Sequence, residues 1–152
     1  MTIRRMGVAL ALVAGCMKRP YEPAGGTGAL HVAGIYAMQE ELYSGNCPGA
    51  SARKGLTRVE VKHETGASML KLTVDAQPFD AYIRKDGSFE SKPLTISRQQ
   101  TTYTTSLNGR FTDSSFFARL NVSTTAPLPL ARPGLAETRI CNYQFRWAAK
   151  KM

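Results

Sequence analysis

The chain has 152 residues, with 20 Lys+Arg against 11 Asp+Glu and a formal net charge of +9 at pH 7. That length suits one domain, and 43% apolar with 20% charged residues excludes wholesale disorder. No apolar run approaches the ~18–20 residues of a membrane-spanning helix, and there is no room for a large two-domain enzyme.

The N-terminal segment is cationic through Arg4 and Arg5, and residues 7–14 are then unbroken apolar. Charge, a short apolar centre and a small-residue end are the build of a secretory signal. On residues alone, a plain cleaved signal or a buried N-terminal helix with an incidental cysteine are the alternatives. Val13-Ala14-Gly15-Cys16 closely resembles the lipobox of bacterial lipoprotein precursors. In that family the Cys becomes the first mature residue and carries a diacylglyceryl thioether and usually an N-acyl chain such as palmitate. The resemblance implies a cleaved signal peptide over residues 1–15, lipidation of Cys16 and residence in the cell envelope. Met17 rather than Asp follows the Cys, which in Gram-negative lipoproteins favours the outer membrane. Without an outer membrane, the outer face of the cytoplasmic membrane is implied.

Two or three acyl chains anchor durably, at about 0.8 kcal/mol per buried methylene. Lys18 and Arg19 beside them add about 1 kcal/mol each on an anionic surface. Residues 20–28, with Pro20, Pro23 and three glycines, lack an apolar period and read as a flexible tether. The organisation is therefore signal 1–15, anchor and tether 16–28, and one β-domain over 29–152. Losing Arg4 and Arg5 leaves 18 basic against 11 acidic residues, a mature charge of +7.

With Cys16 acylated, Cys47 and Cys141 remain in an oxidising compartment, and a disulfide between them is expected. Two buried thiols are the alternative. His31 and His63 lack the tight ligand spacing of a zinc site, so no metal or other cofactor is expected. The bridge would close a loop of about 94 residues, for which chain entropy gives at most ~4–5 kcal/mol.

Alternation with period two then dominates. A first strand is expected over residues 30–38, while residues 37–43 suit a strand or a short helix. Thr57, Val59, Val61 and His63 share one face, as do Leu70, Leu72 and Val74, and Phe79, Ala81 and Ile83. Phe116, Ala118, Leu120 and Val122 form another inward series, and Cys141, Tyr143, Phe145 and Trp147 the last. Glu64-Thr65-Gly66, Asp86-Gly87 and Asn108-Gly109 read as hairpin turns, and the Pro-rich residues 126–134 as a loop. The expectation is an all-β antiparallel meander of about eight strands, closed as a barrel or folded as a sandwich. Residues 141–150, preceded by 107–112, look similar to the endings of small β-rich envelope lipoproteins, a likeness that carries no activity. Gly34-Ile35-Tyr36 is faintly similar to the opening Gly-x-Trp of lipocalins, with a different aromatic.

Little points to catalysis. Ser68 and Lys71 match Ser-x-x-Lys, as do Ser51 and Lys54, but a strand puts positions three apart on opposite faces. The companion Ser-Asp-Asn and Lys-Thr-Gly motifs are missing. Glu60, Asp75, Asp80 and Glu90 are candidate paired carboxylates whose separation one sequence cannot give. His63 beside Glu64 continues an inward series and reads as a core or rim histidine. Gly25-Gly26-Thr27-Gly28 lacks the strand and helix of a phosphate loop. A non-enzymatic, membrane-anchored binding or structural module is therefore expected.

Tyr82 with Arg84, and Phe117 with Arg119, are the candidate ligand patch on the outward faces. The expected partners are the membrane through Cys16 and an envelope protein, polysaccharide or anionic lipid. Nucleic acid is not expected, since export removes the protein from it. The alternatives are an inhibitor or protection factor similar to the lysozyme-inhibitor kind, and a lipid or small-ligand carrier.

Overall fold

The structure is a computed structural model that describes residues 30–128 and 137–152. The lipobox, Cys16, the tether and most of the Pro-rich stretch lie outside them. Nine antiparallel strands make up the described residues: β1 (Gly34–Gly45), β2 (Thr57–His63), β3 (Met69–Val74), β4 (Gln77–Ile83), β5 (Ser88–Ser91), β6 (Leu94–Arg98), β7 (Thr101–Phe111), β8 (Ser115–Pro127) and β9 (Thr138–Lys151). Neighbours run in chain order from β1 to β5, β7 pairs with both β5 and β8, and β9 returns to β1. The sheet thus closes as an eight-stranded barrel, which pairs β1 and β9, the two end strands that an open meander would leave as edges. The ninth strand, β6, shares with β5 the same side of β7, Leu94–Arg98 facing Thr101–Thr105.

Closure follows from the alternation. Val59, Val61, Leu70, Leu72, Val74, Phe79, Ala81 and Ile83 are all buried, each second residue pointing inward. Phe116, Ala118, Leu120, Phe145, Trp147 and Ala149 complete the wall from β8 and β9. At one end Tyr36, Phe89, Phe111 and Phe116 pack with ring centroids 4.9–6.2 Å apart, tilted or edge-on. Farther along, Phe79 meets Trp147 edge-on at 6.2 Å. These side chains fill the interior.

The helical option for residues 37–43 is not taken: β1 continues to Gly45, pairing with β9 from Tyr36 and shifting register between Leu42 and Ser44. The long β9 satisfies its backbone groups, and tertiary pairing overrides a weak local preference. Asn108-Gly109 is not a turn but lies inside β7. A Cβ on Gly109 would stand 2.8 Å from the Ala118 Cα, so this glycine permits β8 to approach closely. The β7–β8 turn falls instead at residues 112–114, where the Thr112 hydroxyl contacts the Ser115 hydroxyl at 2.7 Å. Ala126 and Pro127 belong to β8, opposite Arg139 and Thr138, rather than to a loop. Glu64-Thr65-Gly66 and Asp86-Gly87 do turn the chain, with Gly66 at φ 85° and Gly87 at φ 82°.

Cys47 and Cys141 are bonded, with 5.6 Å between their Cα atoms and 94 residues between them in sequence. The bridge fastens the chain leaving β1 to β9. Beside it, the Asn142 N–H donates to Asn46 Oδ1 at 2.7 Å.

Candidate functional site

The barrel's outer wall carries its charged and aromatic side chains in cross-strand rows. Tyr82, Glu90, Asn108, Arg119, Arg146 and Glu41 are successive partners across β4, β5, β7, β8, β9 and β1. The adjacent row contains Ser88, Arg110, Phe117, Ala148 and Gln39, and the Arg84 N–H donates to the Ser88 carbonyl at 2.8 Å. Tyr82, Arg84, Phe117 and Arg119 therefore share the outer surface. They form two clusters rather than one, because β5 and β7 intervene and each strand adds ~4.8 Å.

The β4 cluster is largely self-contained. Lys92 Nζ lies 5.4 Å from the Tyr82 ring, and the Arg84 guanidinium is 3.9 Å from Glu90.

The β8 cluster is different. Register sets Arg119 directly opposite Arg146, and like charges facing each other across a ladder are unfavourable. The Tyr43 ring, reaching over from β1, has its centroid 3.5 Å from the Arg146 guanidinium carbon and 5.9 Å from that of Arg119. Among the described residues, neither arginine forms an ion pair with a carboxylate. Phe117, 64% exposed, lies one row away. Arg110 beside it is held by Asp86 at 2.9 Å.

Toward the far end of β8 and β9 the wall becomes hydroxyl- and amide-rich. Ser44, Thr104, Ser106, Asn121, Ser123 and Gln144 line part of an open depression of about 360 Å³. Gln144 donates to Asn121 across the strands at 2.8 Å, and β6 and β7 add Thr95–Thr104 and Ser97–Thr102 contacts at 3.3 and 3.2 Å. Asn121 is two positions beyond Arg119, and Gln144 two before Arg146, so the depression continues from the paired arginines on the same face. The arrangement offers cations and an aromatic face at one end and neutral hydrogen-bonding groups at the other.

Tyr43 and Arg146 are the residues that sequence reasoning missed. Arg146 has the outward parity of β9, but only register reveals its partner. Tyr43 falls where strand and helix were both open.

The other candidates are spread apart. Asp75, Asp80, Glu60 and Glu90 each pair with a different cation: Arg53 at 2.8 Å, Lys71 at 3.7 Å, Lys62 at 3.6 Å and Arg84 at 3.9 Å. His63 is half-buried, its Nε2 2.9 Å from the Ala67 carbonyl across the β2–β3 turn. Ser68 precedes β3 and Lys71 faces out of it, while Ser51 and Lys54 lie in the β1–β2 connection. Among the described residues the buried carboxylate is Glu40, which binds Arg53 and Trp147 and closes one end of the barrel.

Two side chains have displaced acidities. Burial pushes the Tyr36 phenol up to about 12, its hydroxyl donating to the Val32 carbonyl at 2.8 Å. The Ser88 hydroxyl, the Ser88 N–H and then Arg110 hold the Asp86 carboxyl down at about 2.

A scan against protein-family models gives no match, and no curated protein or solved structure is significantly similar to the chain.

Proposed function

We propose that the chain is a cell-envelope lipoprotein, held on a membrane through Cys16, whose barrel is a non-enzymatic module that binds an anionic polysaccharide on its outer wall. The observation that carries this reading is the Arg119–Arg146 pair. Two opposed cations meet one tyrosine ring and adjoin a depression lined with hydroxyls and amides; Glu41 is Arg146's other cross-strand partner, yet among the described residues neither arginine is ion-paired. An acidic sugar relieves the repulsion, and the neutral groups suit the hydroxyls of neighbouring sugars. The filled interior favours contact on the wall over carriage inside the barrel. Anchoring rests on the lipobox resemblance of Val13-Ala14-Gly15-Cys16.

The test uses the mature chain with Cys16→Ser, titrated with polygalacturonate and with neutral dextran. Polygalacturonate is expected to bind and to weaken with salt, dextran to bind far less. Arg119→Gln with Arg146→Gln should lower polygalacturonate affinity at least about tenfold. Equal binding of both polymers, or an unaffected double variant, overturns the reading. Intact mass of membrane-extracted protein should show acyl groups on Cys16, and Cys16→Ser should abolish membrane retention.

A further inference from the structure

Between β4 and β6 the barrel wall is interrupted. β5 pairs with β4 only over Ala81–Ile83, the Lys92 N–H donates to the Asp80 carbonyl at 2.9 Å, and after Pro93 the chain follows β7 alone. The first half of β4 keeps β3 on one side and, among the described residues, has no strand on the other. Backbone direction alternates along a strand. The Ile83 N–H bonds toward β3, whereas the Asp80 carbonyl faces β5, so Pro78 faces the gap. Proline has no N–H to leave unpaired there, and Pro93 interrupts the opposing strand. The opening is a built feature of both lips.

Gln77 from β4, Ile96 and Arg98 from β6, and Tyr103 and Thr105 from β7 line a cleft of about 310 Å³ at this gap. Ile96 and Tyr103 are cross-strand partners and present an apolar floor. Among the described residues Arg98 has no carboxylate within ion-pairing distance. The two turns that flank the cleft, Asp75-Ala76 before Gln77 and Gln99-Gln100 after Arg98, hold the non-glycine residues with positive φ among the described residues. Their φ values are 47°, 64°, 46° and 66°. Such turns ordinarily use Asn-Gly or Asp-Gly. Ala76, Gln99 and Gln100 lack that relief, and left-handed backbone in ordinary residues is held against a cost and clusters at binding sites.

We propose that this cleft binds a small amphiphilic carboxylate, its head group on Arg98 and its hydrocarbon body against Ile96 and Tyr103. Thr105, opposite Leu94, lies beyond the Ile96–Tyr103 pair from Arg98, so it borders the far end of the hydrocarbon body rather than the head group. The volume equals that of roughly ten waters at ~30 Å³ each, at the small end of ligand sites. That admits a chain about the size of octanoate. The cleft is separate from the Arg119–Arg146 wall, so either site can fail without the other.

The experiment titrates the mature chain with Cys16→Ser, followed by amide NMR, using octanoate, octanol and butyrate as probes. Octanoate is expected to shift Gln77, Ile96, Tyr103 and Thr105, with octanol and butyrate each at least about tenfold weaker. Arg98→Gln should weaken octanoate at least about tenfold and leave octanol unchanged, whereas Arg98→Lys retains most of the octanoate affinity. Ile96→Asn should weaken both octanoate and octanol. Native Trp147 emission in each variant reports an intact fold. No octanoate binding, shifts that map elsewhere, octanol binding as tightly as octanoate, or Arg98→Gln within about twofold of the parent each overturn the proposal.

Discussion

Glu40→Gln tests the account of how the barrel end is closed. The Glu40 side chain is 4% exposed and accepts from three donors. The Arg53 N–H reaches Oε1 at 2.9 Å, while the Arg53 guanidinium and the Trp147 indole N–H, at 2.6 Å, share Oε2. Glutamine has the same shape, but its NH2 must replace one oxygen. At the Oε1 position it faces the Arg53 N–H, and at Oε2 it faces two donors. At least one part-buried donor then loses its acceptor, at about 1–3 kcal/mol. The Arg53 charge also loses a counter-ion. Arg53 is 35% exposed and keeps Asp75 at 2.8 Å, so this second loss is set low, at about 1 kcal/mol. The expected destabilisation is about 2–4 kcal/mol. With a urea m-value of ~1–3 kcal/mol/M, the midpoint falls by roughly 0.7–4 M. Trp147 is the single tryptophan, so its emission follows both global unfolding and the indole's own environment. A Glu40→Gln midpoint within about 0.3 M of the parent, with unchanged native emission, would refute the reasoning.

Reduction of the Cys47–Cys141 bridge, or Cys47→Ser with Cys141→Ser, should lower stability by about 2–4 kcal/mol, since a loop of ~100 residues is freed in the unfolded chain. Urea unfolding measures this, and thiol labelling of the denatured, unreduced protein should find neither cysteine free. Phenolate absorbance should show a component from Tyr36 with its midpoint at about 12. Its folded pKa of about 12 exceeds the ordinary 10, so this contribution to stability is complete below pH 10 and lost as pH rises from 10 toward 12. A Tyr36 midpoint near the ordinary 10 in the folded protein would contradict its burial. Carboxyl NMR should find the Asp86 midpoint at about 2, moving up toward 3.8 in Ser88→Ala. Here the folded value is depressed, so the stabilisation is present above 3.8 and lost as pH falls toward 2; Asp86 is half exposed, and the effect on unfolding is small.

Inward and outward faces were legible because a closed antiparallel wall imposes one rule, period two, on every strand. Val59 and Val61, Leu70 to Val74, and Phe116 to Leu120 obey it without exception. Turn positions were legible only where glycine supplied the positive φ. Asp75-Ala76 and Gln99-Gln100 turn the chain without it, and apart from Asp75 their residues carry no turn signal. Gly109 misled for the complementary reason: Asn-Gly marks a two-residue turn, whereas here glycine is needed because the backbone of β8 lies against it. Register is the deeper gap. The outward parity of Arg119 and Arg146 can be counted from the sequence, but their opposition depends on how β8 slides against β9, and single-chain alternation does not specify that offset. The candidate patch was accordingly legible as parts, with Phe117 and Arg119 found and Tyr43 and Arg146 not.

The direction of the strands gives the proposed anchoring a geometric consequence. The described chain begins at Leu30, which packs beside Gly87 of the β4–β5 turn, and the C-terminal Met152 N–H bonds to the Ile35 carbonyl nearby. The β2–β3 and β7–β8 turns lie at this same end, because each joins a strand running toward it to one running away. A lipid on Cys16 would therefore hold this end toward the membrane. From Arg119 the hydroxyl-rich face runs up β8 through Asn121 and Ser123, away from the anchored end, and the gap beside β6 opens toward that far end as well. A polymer reaching the wall from the far side would meet the neutral groups first and the arginines next. Polybasic segments that bind headgroups act within a Debye length of the surface, about 8 Å in physiological salt. Arg119 and Arg146 sit part-way up the wall, four residues along β8 from Ser115, a path of ~13 Å along the strand and a height of ~10 Å for strands tilted ~35–45°. That height separates them from a surface beneath the anchored end and favours a polysaccharide over the headgroups of that same membrane.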